Sequence, residues 1–351
     1  MSDAAMNQRL GIQELDDFNT SKNAEAREAL KKTIEKYLVD LEDFEFRCER
    51  TENRKALLAE ITALNDAMLR ACAEFENTVD GDEALIREAQ ADFREKTGPI
   101  LLKSHFINHA RTWPYGYQGD FQMLEGVYRS TPLATGIGYY LDAYSLATTL
   151  GNAVRERRTT LRGLLKTELE HRHEPRVLDI ACGSCREVFE LAEDIKKAAA
   201  GITAVDFDPN ALSFASDRML YAGLSSEQVK FHKYNAIKMV NHDRNLQVFG
   251  RHDVIYSVGF FDYLDDAVLV RLLRSLFDLL NPGGKLITSF KDCRRYDTQY
   301  YHWMVDWNGF FQRTEEMCEE LLQEAGIPAD AVTSLRDSSG VILFYSATRS
   351  A

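Results

Sequence analysis

Nothing in these 351 residues approaches the length of a membrane-crossing apolar run, and the opening MSDAAMNQRLGIQELDD has no basic start followed by an apolar core. The sequence therefore leads one to expect neither a membrane span nor a secretory leader, and to expect the protein in the cytoplasm. Basic charge is in deficit too. Lys and Arg number 42 against 55 Asp and Glu, a formal net charge of −13. So acidic a chain is poorly suited to displacing counterions from phosphates unaided, which counts against a nucleic-acid substrate. Cysteines are six and scattered, and no spacing makes a zinc set. No metal is expected. The one C-x-x-C, Cys182 and Cys185, reads as packing in a turn rather than as a redox pair. His105 and His109 have metal-ligand spacing without a nearby acidic or cysteine partner, and read as packing or solvent-facing residues.

Glycine is scarce where it would be most telling. Residues Arg176 to Ile180 form a short apolar run that stops at Ala181-Cys182-Gly183-Ser184-Cys185 and resumes as a helical pattern through Val188, Leu191 and Ile195. Strand, tight turn and helix start in that order open a nucleotide-binding α/β sheet, with backbone N–H groups facing a ligand at the strand's carboxyl end. A dinucleotide pyrophosphate wants the full G-x-G-x-x-G, and only Gly183 stands here. Asp179 inside the strand suits a turn whose backbone N–H groups it can hold. The cofactor expected is S-adenosylmethionine.

Further along, Ile202 to Val205 is a second strand ended by Asp206, about 20 residues beyond Gly183, where an acid accepts ribose hydroxyls. Phe207 is placed to lie against adenine, and Asp208 to cap the helix begun by Pro209. Val229 to His232 is a third strand leading to Asn235 and Ala236, where an amide meets the adenine edge. His252 to Gly259 is a fourth, carrying Ser257 and Gly259 to the cofactor. Leu280 to Ile287 is a turn feeding a fifth, and 331–335 with 341–345 form a closing hairpin across Ser338-Ser339-Gly340.

VLDIACG, AVDFDP, DVIYSVGFFDYL and LNPGGKL, in that order over about residues 150–348, resemble the class I S-adenosylmethionine-dependent methyltransferases. The resemblance implies an α/β, Rossmann-like sheet of order 3-2-1-4-5-7-6 with a terminal antiparallel hairpin, and methyl transfer as the activity. The cofactor contacts it implies are Asp179, Ala181, Gly183, Asp206, Phe207, Asn235, Ala236, Ser257 and Gly259. Ala181 and Cys185 stand where many members have glycine, and Asn235 where many have aspartate.

Ahead of that domain, residues 1–20 read as a flexible start and 21–148 as a helical subdomain; 149–351 is the methyltransferase domain. Leu30, Ile34, Leu38 and Leu41, then Leu57, Ile61, Leu64, Met68 and Phe75, recur at helical spacing. Thr51-Glu52-Asn53 marks the turn between these helices, and Asp82 caps a third. The helices serve as packing, as a cover over the substrate or as a homodimer surface. Trp113 to Asp120 is an aromatic loop that reads as a lid over a cationic cofactor or as interdomain packing, with Tyr117 on the cofactor and Tyr115 and Tyr128 on the substrate. GYQGDFQMLEGVY, GIGYYLDAY and VRERR give a narrower resemblance, to bacterial methyltransferases assigned to 3-hydroxypalmitic acid methyl ester biosynthesis. That implies a small-molecule acceptor, a hydroxy fatty acid carboxylate among the choices. After the fifth strand, Tyr301 and Trp307 read as a substrate wall.

Methyl transfer is in-line displacement, so most of the catalysis is positioning. A carboxylate acceptor needs no base, whereas a phenol or ammonium must lose a proton. Asp262, Tyr263 and His302 are the candidate bases. Competing readings are methylation of an amine, amino acid or phenol, a protein or RNA methyltransferase, and a non-catalytic cofactor-binding partner protein.

Overall fold

The computed structural model describes residues 3–50 and 52–350, with side chains from Ser21 onward. Thr51 of the expected first turn, Met1 and Ser2, and the side chains of the rest of the expected flexible start lie outside the described residues. The chain divides into two units. One takes in Met1–Pro114, Thr131–Ala147 and Thr298–Asn308; the other takes in Tyr115–Ser130, Thr148–Asp297 and Gly309–Ala351. Their order along the chain is interleaved, where the sequence suggested one boundary between 148 and 149.

The first unit holds helices α1 (Asp3–Cys48), α2 (Arg54–Thr78), α3 (Glu83–Leu101) and α4 (His105–Thr112). The α1 backbone runs through most of the stretch read as flexible, with good helix formers outnumbering Gly11 and Asn19. Asn53 and Asp82 cap α2 and α3, their side-chain oxygens accepting from the N–H of Ala56 and Leu85. Along α1 the buried positions are Leu30, Ile34, Tyr37, Leu41, Phe44 and Cys48, and along α2 Leu57, Ile61, Asn65, Met68, Cys72 and Phe75. Leu38 and Leu64, expected in these stripes, are only half-buried. Tyr37 and Asn65 take the places instead, because the Tyr37 hydroxyl donates to Asn65 Oδ1 at 2.6 Å, so the pair meets inside the helix interface.

Helix α5 (Phe121–Arg129) belongs to the second unit, and α6 (Ile137–Ala147) to the first. On α6 the buried Asp142 is a hub. It accepts from Ser104 Oγ at 2.6 Å and from the N–H groups of Phe106, Leu133 and Ala134 at 2.9–3.2 Å. The returning segment Thr298–Asn308 contains a turn of π-helix at Tyr300–Met304. Its Trp303 is fully buried, stands edge-on to Phe75 and Phe93, and donates from Nε1 to Glu76 at 2.7 Å.

The second unit is an α/β sheet. Helix α7 (Thr149–His171) leads to β1 (Arg176–Ile180), α8 (Arg186–Glu190), α9 (Ala192–Ala198), β2 (Gly201–Asp206), α10 (Pro209–Tyr221) and β3 (Val229–Lys233). Then come α11 (His242–Phe249), β4 (His252–Val258), α12 (Asp266–Asp278), β5 (Leu280–Lys291), α13 (Glu315–Glu324), β6 (Val332–Arg336) and β7 (Ile342–Thr348). The sheet order is β3-β2-β1-β4-β5-β7-β6, parallel except for β7, which runs antiparallel to both β5 and β6. This is the class I methyltransferase order that the resemblance implies. The helix expected after the turn comes in two pieces broken at Leu191, yet Val188, Leu191 and Ile195 are all buried as its periodicity requires. On α12, Leu269, Leu272, Leu273 and Leu276 are wholly buried, each worth about 1.5–3 kcal/mol relative to exposure. That face fixes the sheet on which β1, β2 and β4 all end at one edge.

At the opposite end of β4, His252 is buried, and its burial, then the nearby Arg176, pull its pKa down to about 4. The unfolded chain therefore takes up this proton first, near pH 6.5. Stability is complete above that value and is lost as pH falls toward 4, by about 2 kcal/mol at pH 5. Denaturant melts at pH 7 and pH 5 check this: His252→Gln should lose less stability over that interval than the parent chain, and equal losses would refute it.

Candidate functional site

The turn between β1 and α8 puts three residues in the left-handed region within five positions: Ala181 (φ 56°), Gly183 (φ 50°) and Cys185 (φ 46°). Ala181 and Cys185 are the two places where a glycine is usual in the resembling enzymes. Both residues hold a backbone conformation that favours glycine, at a cost of roughly 1–2 kcal/mol for each residue. Such strain persists only where the surroundings hold it. Here Cys182 N–H donates to Val205 O at 3.1 Å, Gly183 N–H to Asp206 Oδ2 at 2.8 Å, and Cys185 N–H to Cys182 O at 2.8 Å. On the far side Ser257 Oγ donates to Ile180 O at 2.9 Å.

The carboxylate that holds the turn is thus Asp206 at the end of β2, and the expectation that Asp179 does so is corrected. Asp179 instead points below the turn, toward Cys185 Sγ at 3.7 Å, and is buried there. Burial, and then Glu187, push its carboxyl well above the usual range. Burial raises the Glu187 carboxyl as well. Asp206 has its other oxygen on Asp208 N–H at 2.9 Å. Burial raises its carboxyl too, against the N–H groups of Asp208 and Gly183. The Phe207 N–H also reaches this carboxylate, and the lone-pair capacity that remains can accept from a ligand hydroxyl.

Sulfur chemistry is muted. A hydrogen bond with Cys182 pulls the Cys185 thiol down, but burial and Asp179 push it up, to about 12. The ligand atoms of Asp179, Cys182 and Cys185 lie within 4.8 Å of one another, so the geometry gathers a potential metal set that sequence spacing did not suggest.

Residues 115–130 lie along this turn. The Tyr117 ring packs on the half-exposed Phe207 with centroids 4.9 Å apart, and its hydroxyl donates to Asp208 Oδ2 at 3.0 Å. Tyr115 packs on Phe121, and Phe121 on Phe214. Behind them Glu125 is buried among cations. It accepts from Ser184 Oγ at 2.7 Å and pairs with Arg218 at 2.6 Å and Arg186 at 3.2 Å. Burial alone would raise the Glu125 carboxyl, but Arg218 and Ser184 hold it below the ordinary value. Tyr128 lies under the Arg158 guanidinium, 5.4 Å from its ring centre.

Asn235 is exposed, and its Oδ1 caps a short turn by accepting from Ile237 N–H at 2.9 Å, leaving its amide N–H groups outward; Ala236 is buried behind it. After β4, Gly259 (φ 88°) has no room for a Cβ, which would meet the Arg157 guanidinium at 2.5–2.9 Å. Asp262 is buried and doubly engaged, accepting from Lys291 N–H at 3.1 Å and pairing with Lys291 Nζ. Burial lowers the Lys291 ammonium although Asp262 opposes it. Lys291 Nζ lies 3.9 Å from the ring centre of Phe310, which packs in turn on Tyr263. Tyr301, His302 and Trp307 belong to the helical unit. There His302 O accepts from Arg94, Trp307 N–H donates to Tyr301 O at 2.7 Å, and burial lowers the His302 imidazole.

Sequence reading missed Glu125, Arg157, Glu187 and Lys291. A signal existed for Arg157: it falls in the buried stripe Leu150, Ala153, Arg157, Leu161, Leu165 of α7, an arginine where periodicity calls for an apolar residue.

A cleft opens at the turn, lined by Tyr128, Arg157, Asp179, Ala181, Gly183 and Glu187 among others. With the left-handed turn and Asp206 beside it, the residues fit an adenosyl group carrying an amino-acid end.

The sequence profile of a family described as a methyltransferase domain matches residues 177–284. No curated protein matches the chain. Among solved structures, one described as a possible exported protein from Bordetella parapertussis is similar at 22% identity and TM-score 0.55, over 66% of this chain and 80% of that one. Magnesium protoporphyrin IX methyltransferase from Synechocystis PCC 6803, solved with bound S-adenosylmethionine, is 15% identical with TM-score 0.42, over 57% of this chain and 83% of that one. No helix among the described residues is long and apolar enough to cross a membrane. Residues 177–284 match a methyltransferase domain, and the chain is an enzyme that takes its methyl group from S-adenosylmethionine.

Proposed function

We propose that the enzyme methylates a small-molecule carboxylate, as in carboxyl O-methylation of a hydroxy fatty acid. The observation that carries this reading is the state of Asp262. Both its oxygens are engaged by Lys291 and it is buried, so the acid that follows β4 is committed to an ion pair. A phenol or an ammonium must give up a proton before it can attack, whereas a carboxylate attacks as it stands. Bound S-adenosylmethionine supplies a methyl group on a positively charged sulfur. The chain's part is to orient and to exclude water: the Gly183 turn and Asp206 hold the adenosyl end, while Tyr263, Phe310 and the Lys291–Asp262 pair line the ends of β4 and β5. Screening with methyl-labelled cofactor against fatty acids, amines and phenols tests this. Label should enter an acid as an ester, at a rate that stays level between about pH 6 and pH 9 because the acceptor is ionised throughout. Label entering an amine or phenol, with a rate that climbs with pH, would replace this reading with one that requires a base.

Residues 115–130 act, on the same reading, as a cover on the adenosyl side. Tyr117→Phe removes one hydrogen bond to a carboxylate and should weaken cofactor binding by about 10-fold; Tyr117→Ala removes the ring from Phe207 as well and should cost about 100-fold. Titration calorimetry reads both. If the segment is packing alone, the Ala variant will melt at a lower temperature while binding and turnover stay as they were.

A further inference from the structure

We infer that Arg157 holds the carboxylate of the cofactor's methionine end, in the cleft beside the Gly183 turn. This rests on the placement of S-adenosylmethionine at that turn and deepens it. The cleft presents both signs of charge: Arg157, Arg158 and Arg186 line it together with Asp179 and Glu187. A molecule that carries one ammonium and one carboxylate on the same carbon matches both signs.

Of the three arginines, two are held in close ion pairs, while Arg157 meets the Tyr128 hydroxyl and feels the Glu187 charge. Arg158 pairs with Glu190 at 3.2 Å, and Arg186 pairs with Glu190 at 2.7 Å and Glu125 at 3.2 Å. Arg157 is the most buried of the three and faces the bare Gly259, where the missing side chain leaves its guanidinium room at the end of β4. A buried guanidinium costs free energy unless an acceptor meets it, and its planar fork suits two carboxylate oxygens. In the same cleft, burial makes Asp179 and Glu187 hold their protons more tightly than usual, and the Glu187 charge adds to the effect on Asp179. An arriving ammonium relieves that repulsion. Arginine with a buried acid pair therefore reads the two ends of an α-amino acid, and the adenosyl end is left to Asp206.

The test compares S-adenosylmethionine with its decarboxylated analogue by titration calorimetry on the full chain. The unmodified protein should prefer S-adenosylmethionine by about 100-fold, the scale of a charge-assisted hydrogen-bonded pair. Arg157→Gln should reduce that preference to about threefold or less without weakening the decarboxylated analogue, and Arg157→Lys should keep an intermediate preference, since a point charge lacks the fork. A parent protein that binds both ligands alike overturns the inference while leaving the cofactor site standing, and this comparison needs no variant to fold. Full discrimination retained by Arg157→Gln overturns it as well. A parent protein that binds neither ligand removes the cofactor placement itself and this inference with it.

Discussion

Replacing Asp206 with Ala is expected to weaken S-adenosylmethionine binding by a factor of 100 or more, on the order of 3 kcal/mol. The size follows from what the carboxylate does. It accepts the Gly183 N–H with one oxygen and the Asp208 N–H with the other, so one side chain fixes the turn after β1 and the start of α10 together. Removing it leaves two N–H groups without their acceptor next to three left-handed residues, and also removes the ribose contact. Asp206→Asn keeps a single acceptor oxygen and turns an NH₂ toward a backbone N–H, so it should fall between. Calorimetry on both variants, with circular dichroism to confirm folding, decides the matter. Unchanged affinity in the Ala variant would take the ribose role away from Asp206.

The second large effect is expected at Glu125. Its carboxylate lies between Arg218 and Arg186 with both charges largely screened from water, and Arg218 also rests 4.6 Å above the Phe214 ring and donates to Ser184 O. Taking away the acid strands buried positive charge, which costs about 3–5 kcal/mol. Glu125→Ala should therefore melt about 10 °C lower. Removing both charged partners is different: Glu125→Leu with Arg218→Met should recover most of the loss, because the cost comes from the unpaired ion more than from the pair's absence. A melting point within about 1 °C of the parent for the single variant would show water reaching Arg218, and the network would then be of little weight.

Motifs whose chemistry is local were legible before the structure. The strand that leads into the Gly183 turn, the acid that ends β2, and the caps at Asp82 and Asp208 all depend on neighbours within three or four residues, which spacing displays. The sheet order came with the family resemblance rather than from spacing. What stayed hidden was pairing between distant stretches. Nothing near Asp179 says that it will point below its turn toward Cys185 and leave the N–H groups to Asp206. Nothing near Asp262 announces Lys291, which is 29 residues further on. Tyr37 and Asn65 were passed over because a count of aliphatic residues does not see a hydroxyl meeting an amide inside a helix pair. Arg157 shows a correctable oversight: a charge in an apolar stripe is conspicuous once periodicity is asked to explain every residue on a face.

The interleaved order of the two units sets a limit on how the protein can be divided. A chain shortened to 149–351 would retain the whole seven-stranded sheet and also residues 298–308, but not the residues those pack on. Trp303 would lose Phe75, Phe93 and Glu76; Tyr300 would lose Ser145; and the carbonyls of His302 and Met304 would lose Arg94 and Arg111. The buried Tyr300, Trp303, Met304 and Val305 would then be uncovered on a loop from the end of β5, a ready seed for aggregation. The methyltransferase portion is thus self-contained as a sheet and dependent as a polypeptide, and deletion of 298–308 would have to accompany any attempt to isolate it.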